Sequence, residues 1–169
     1  MVSMNGKSWE GLSLEGMASH IASAILLWNK GQGVGTKNDC KLIVSYVVRK
    51  YQAFSAKANN LTQIPSTLAA RRWKINGKKP ILEHGIPVAC VVNGLFHIVT
   101  GPNLQSAIEQ VETCLEANTV LAWVTPREHS RLNARFAQSM PVGYDSYPWK
   151  DRWARYRKSL VDIPDAGAV

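Results

Sequence analysis

Cysteine is scarce in this chain: three residues, Cys40, Cys90 and Cys114, among 169. An odd number cannot all pair, and no C-x-x-C occurs. That excludes a disulfide framework and a cysteine-built zinc site, and it points to a reducing, cytoplasmic setting. Long apolar runs are missing too. The best stretches, Ile21–Trp28 and Ile86–Val99, are too short or too interrupted for the ~18–20 residues of a membrane span, so no membrane partner is expected. The N-terminus has no basic segment followed by a clean apolar stretch, as a secretory leader would. There is no internal repeat and no low-complexity stretch. The Glu-x-Lys element of many restriction enzymes does not occur, which disfavours that class of nuclease.

What is present is a core-forming chain. Hydrophobic residues make up 46% and charged residues 19%, a balance that excludes a disordered polymer. A chain of this length holds one domain, or one domain with an arm.

The net charge of +8 is unevenly placed. Residues 1–48 carry +1 and residues 49–79 carry +8 without a single acid. Residues 80–126 carry −4, residues 127–158 carry +5 and residues 159–169 carry −2. Two basic blocks around an acidic middle attract polyanions, which makes nucleic acid the expected partner.

Periodicity predicts a mostly helical α+β protein. Leu14, Met17, Ala18, Ile21, Ile25 and Trp28 have helical spacing, with Ser13 as cap and Asn29–Gly31 as the end. GQGVG (31–35) reads as a connecting loop, because no strand precedes it and no G-K-S/T follows. A second helix follows Asn38 or Asp39, with Leu42, Ile43, Tyr46, Val47, Lys50, Tyr51 and Phe54 on one face. Residues 57–65 break the pattern. Ser66 is the expected cap of a short helix through Trp73.

Pro80–Ile86 reads as a short extended segment. Pro87 opens a helix with Val88, Val91, Val92, Leu95, Phe96 and Val99 inward, and His97 is expected to pack in that apolar run. Asn103 caps the next helix, whose stripe is Leu104, Ala107, Ile108, Val111 and Leu115. Val120–Thr125 is the strongest strand. Thr125-Pro126 then starts a helix, with Glu128 near its positive end. Tyr144, Tyr147, Trp149, Trp153 and Tyr156 interleave with basic residues near the C-terminus. A short helix is expected over Trp149–Ser159, with Trp149, Trp153 and Tyr156 inward and their basic neighbours outward.

The residues suited to chemistry are an acid-histidine pair, Glu83-His84, ending the extended segment; Asn118 before the strand; and His129 on the following helix. A divalent metal accepts oxygen and imidazole ligands, which Glu83 and His129 supply. A neutral imidazole can take a proton from an attacking water, which suits His84. Asn118 is the candidate to hold the second nitrogen of His84 or to shape the loop around it. The bland alternatives are a surface acid or an Arg71 or Arg72 partner for Glu83, a half-buried histidine at 84, an ordinary helical residue at 129 and a helix-ending Asn118.

Glu83-His84-x-x-Pro87, then Asn118, then V-T-P-R-E-His129-S-R-L-Asn133 resembles the His-Asn-His (HNH) nucleases. It looks most like a divergent bacterial and phage branch that reads E-H-x-x-P, an insertion, V-T-x-x-E-x-x-R-L-N, Met-Pro and W-A-R-Y. The last two are Met140-Pro141 and Trp153-Ala154-Arg155-Tyr156 here, so the likeness covers about residues 80–157. It implies a ββα-metal (His-Me finger) core with N-terminal helices and a helical insertion. His84 would be the general base and Asn118 its catalytic companion. Glu83 and His129 would bind one Mg2+ or Mn2+, and Asn133, four residues after His129, would be an additional site residue.

The organisation implied is an N-terminal helical region over 1–79 with its basic segment, a nuclease core over 80–140, and a basic-aromatic tail over 141–169. Thirty-three residues separate His84 from Asn118, more than in the compact motif, and two inserted helices account for them. The cysteine pairs common in such nucleases are absent, and Glu stands where Asp is more frequent.

Arg71, Arg72, Lys74, Lys78 and Lys79, just before Glu83, and Arg127, Arg131 and Arg135, beside His129, are the expected phosphate contacts. The resulting expectation is a metal-dependent endonuclease acting on DNA, with RNA as the other substrate. It would be a homodimer if it cuts duplexes symmetrically. The alternatives are a nucleic-acid-binding protein without catalysis and an interaction protein, such as a phage inhibitor or regulator, anchored by Trp and Tyr.

Overall fold

The computed structural model describes residues 13–33, 35–58 and 64–163. Within them run α1 (Leu14–Asn29), α2 (Lys37–Ala58), α3 (Leu68–Ile75), β1 (Ile81–His84), α4 (Val88–Ile98), α5 (Leu104–Asn118), β2 (Leu121–Val124), α6 (Pro126–Phe136) and α7 (Ala154–Lys158). The protein is α+β and mostly helical, with one two-stranded antiparallel sheet. No helix among the described residues is long and apolar enough to cross a membrane.

Side-chain caps set most helix starts. Ser13 accepts from the Gly16 N–H at 3.0 Å and Asn103 from the Ser106 N–H at 2.9 Å, satisfying amides that have no partner inside the helix. Two expected caps lie elsewhere. Thr36, rather than Asn38 or Asp39, precedes α2, and Asp39 answers it by accepting from the Thr36 N–H at 2.7 Å. Thr67, rather than Ser66, caps α3. Ser66 instead bridges to Trp123, laying residues 65–67 parallel to β2. Of the expected break over 57–65, residues 59–63 lie outside the described residues, and α2 continues to Ala58.

The larger core gathers Met17, Ile21 and Ile25 of α1, Val44, Val48 and Tyr51 of α2, Val91 and Leu95 of α4, and Val111 and Leu115 of α5. The stripes expected for α1, α4 and α5 face the core, with Leu14, Trp28, Phe96 and Ile108 partly buried and Leu104 exposed. In α2 the helix is turned. Val44, Val47, Val48 and Tyr51 are buried, whereas Leu42, Ile43, Tyr46 and Phe54 face outward. This helix has more apolar residues than one face holds, and packing against α1 and α4 selects the valine stripe. His97 is exposed, since it lies on the face of α4 turned away from Val91 and Leu95.

A smaller, separate core forms on one face of the sheet: Ala122 and Val124 of β2, Leu132 of α6, Tyr156, Val161 and Ile163. β1 and β2 pair in the register Ile81–Val124, Leu82–Trp123, Glu83–Ala122 and His84–Leu121. The α4–α5 hairpin fills the chain between the two strands, and α6 follows β2 and packs on β1.

The C-terminal segment is part of this body. Trp149 is buried over Gly94 of α4, where a Cβ would meet the indole at 2.8 Å. Arg152 donates to the Ala117 carbonyl at the end of α5, 2.7 Å away. Helix forms only over Ala154–Lys158 instead of from Trp149, because Trp149 and Arg152 are already committed to α4 and α5.

Candidate active site

Glu83 is the centre of the site. Strand alternation turns it inward, and only 7% of it is exposed. One carboxylate oxygen, Oε2, meets Nδ1 of His129 on α6. The other, Oε1, accepts from the His84 backbone N–H at 2.9 Å and lies 3.5 Å from the Arg155 guanidinium. Asn133 donates from Nδ2 to His129 Nε2 at 2.8 Å, which leaves the ring proton on Nδ1, donated to Glu83. The structure therefore brings together Glu83, His129 and Asn133.

The V-T-P-R-E segment fixes where His129 stands. Thr125 and Glu128 form a capping box: the Glu128 N–H reaches Thr125 Oγ1 at 3.2 Å, and Glu128 Oε2 accepts from the Thr125 N–H at 2.8 Å. Pro126 fills the first turn, where its missing N–H costs nothing. The same Glu128 oxygen accepts from Thr67 Oγ1 at 2.9 Å. The start of α6 is thus tied to the start of α3.

His84 ends β1 beside this cluster, partly exposed, with Nδ1 4.0 Å from Glu83 Oε1. Burial pushes its pKa below the ordinary 6.5. The Glu83 charge opposes that shift, and Arg49 and Arg155 add to it. The ring is neutral at pH 7 and able to accept a proton.

Asn118 ends α5 and is buried, and its Nδ2 donates to the Cys114 carbonyl of its own helix at 2.7 Å. Among the described residues it makes no hydrogen bond to the His84 ring. Its part in the loop is through the backbone: its carbonyl accepts from the Val120 N–H, and the Val120 carbonyl accepts from the Gly85 N–H at 2.6 Å. Gly85 allows this close fit, since a Cβ there would lie 2.8 Å from the Arg152 carbonyl.

Arg71, Arg72, Lys74, Lys78 and Lys79 are exposed, and Lys78 lies over the Trp73 ring, 4.3 Å from its centre. Arg127 is exposed at the start of α6. Arg131 and Arg135 are exposed but already engaged: they donate to the carbonyls of Leu160 and Lys158, each at 3.1 Å. They pin the chain after α7 to α6.

Arg155 is the residue the sequence pattern misplaces. It was expected to face outward with its basic neighbours, yet it is 1% exposed. The W-A-R-Y stretch contains this residue, but nothing in its local pattern marks a buried cation.

The donor set suits a hard divalent ion in part. Glu83 Oε2 and His129 Nδ1 would offer a carboxylate oxygen and an imidazole nitrogen at one place once the ring proton moved to Nε2 and the Asn133 amide turned its oxygen toward it. Among the described residues no three His, Cys, Asp or Glu side chains form a metal cage. Comparison with family models, with curated proteins and with solved structures finds no match.

Proposed function

We propose that the protein is a metal-dependent endonuclease with a ββα-metal core, acting on DNA. The observation that carries this reading is the meeting of Glu83 and His129, residues 46 positions apart on a strand and a helix. It is the pairing that the HNH resemblance demands, and packing of the intervening helices alone does not require it. The order of two antiparallel strands and then a helix also supports the reading.

In this mechanism Glu83 and His129 would hold one Mg2+ or Mn2+, which would supply charge neutralisation at the phosphate and the leaving oxygen. His84, neutral and partly open to solvent, takes the proton of the attacking water. With the metal bound, the His129 ring proton would sit on Nε2, and Asn133 would keep the ring oriented by accepting it through Oδ1. Asn118 shapes the turn between α5 and β2. Lys74, Lys78, Lys79, Arg71 and Arg72 hold the backbone of the nucleic acid.

One observation favours a second reading, a nucleic-acid-binding protein without catalysis: Glu83 is already engaged by Arg155 and His129. Cleavage of plasmid DNA with Mg2+ or Mn2+, beside EDTA and His84→Ala, separates the two. Metal-dependent cutting that is lost in His84→Ala is the expected result. Salt-sensitive binding with no cutting under either metal supports the binding protein.

A further inference from the structure

We infer that Arg155 is a positioning residue of the site: delivered by α7, its guanidinium holds Glu83 Oε1 so that Oε2 is presented to His129. This deepens the hydrolase reading and rests on it for the importance of Glu83. The geometry itself can be tested without any cleavage assay.

A guanidinium as enclosed as this one is rare, because removing it from water is costly unless an opposite charge faces it. The opposite charge is Glu83, 3.5 Å away. The pairing is not a saturated fork. Arg155 Nε and Nη2 have no hydrogen-bond partner among the described residues, so the guanidinium is held against Glu83 by charge and enclosure. It is not held there by a network that would place it equally well elsewhere. Tyr156 lies beside it, its ring centre 5.9 Å from the guanidinium carbon.

The position of Arg155 is set from several sides. Trp149 is seated over Gly94, and Arg152 is bonded to Ala117. Arg135 and Arg131 hold the carbonyls of Lys158 and Leu160 just beyond. The chain from 149 to 160 is therefore a strap across α4, α5 and α6, and Arg155 is its inward point. A carboxylate on a strand end can rotate about its last bond. With Oε1 fixed by Arg155 and the His84 N–H, only Oε2 is left to face α6.

The test reads the His129 ring. In the 169-residue protein with EDTA at mildly alkaline pH, NMR of the imidazoles should show the His129 Nδ1 proton shifted far downfield by its bond to Glu83. Arg155→Met and Arg155→Gln should lose that downfield shift while Asn133 still holds the proton on Nδ1, and Arg155→Lys should retain it. If either uncharged variant folds and keeps the wild-type His129 pattern, the inference is overturned. Gln, which stays polar, serves should Met not fold.

Mn2+ titration by calorimetry gives a second and opposite-signed reading. A neighbouring cation that merely repelled the metal would let Arg155→Met bind Mn2+ more tightly. A positioning residue predicts binding weakened about tenfold, in the range seen for residues that orient metal ligands. Tighter binding overturns the inference. If the wild type binds no Mn2+, the metal reading above fails, and the His129 signature decides the role of Arg155 alone.

Discussion

Glu83 and His129 touch through Oε2 and Nδ1, one from the strand before the α4–α5 hairpin and the other from the helix after β2. Glu83 also joins His84 and Arg155, so its loss and the loss of His84 should differ in kind. His84→Ala should lower kcat by about 10²–10⁴-fold, the usual worth of a general base, without changing the metal concentration needed for half-maximal cutting. His129→Ala should raise that concentration. A metal titration of plasmid cleavage for both variants checks this, and a swap of the two phenotypes would reverse the assigned roles.

The environment of His84 predicts a pH dependence. Burial disfavours its imidazolium, so its pKa in the folded protein lies below 6.5. The base form therefore persists through neutral pH. kcat/KM should be level there and should fall only at pH values below 6.5, with a midpoint beneath that of a free histidine. Stability carries the same sign. Between the lowered pKa and 6.5 the unfolded chain binds more protons, so stability rises with pH across that window and declines as pH falls through it. His84→Gln should flatten that part of the stability profile in urea titrations. An acid limb with a midpoint above 6.5 would contradict the burial argument.

The capping box before His129 gives a prediction about stability. Thr125→Ala removes the acceptor for the Glu128 N–H and one donor to Glu128 Oε2. The expected cost is about 1–2 kcal/mol, or a fall in melting temperature of roughly 2–4 °C per kcal/mol for a chain of this size. Thr67→Val should cost stability as well, because Thr67 Oγ1 both accepts from the Ala70 N–H and donates to Glu128. An unchanged melting temperature in both variants would show that these bonds are replaced by water without loss.

Local side-chain chemistry made much of this legible. Ser13, Asn103 and Thr125 cap their helices because a short oxygen beside free amides acts within three residues, and such signals survive any tertiary context. The presence of β1 and β2, each a residue or two shorter at its ends than Pro80–Ile86 and Val120–Thr125, and the start of α6 at V-T-P-R-E could be read. What depended on distant partners could not. The rotation of α2 was decided by α1 and α4, which choose Val44 and Val48 over Leu42 and Ile43. Arg155 sits in an alternation of aromatic and basic residues that reads as an outward charge. Its burial follows from Trp149 on Gly94 and Arg152 on Ala117, contacts with partners 35 or more positions away. Asn118 ends α5, as its helix-ending alternative has it, and bonds the Cys114 carbonyl of its own helix and not the His84 ring.

The basic residues fall into two groups that a salt titration can separate. Lys74, Lys78 and Lys79 are exposed at the end of α3 and the turn after it. If they contact phosphate, each Ala substitution should reduce the slope of log affinity against log salt by about 0.9 and leave the melting temperature nearly unchanged. Arg131 and Arg135 already donate to Leu160 and Lys158. Their Ala variants should loosen the chain after α7 and lower the melting temperature, with a smaller change in salt slope. DNA binding by fluorescence anisotropy at several salt concentrations, beside thermal unfolding, measures both quantities on the same proteins. Equal slopes and equal melting shifts in the two groups would mean that the pinning of the C-terminal strap and the grip on phosphate are not divided in this way.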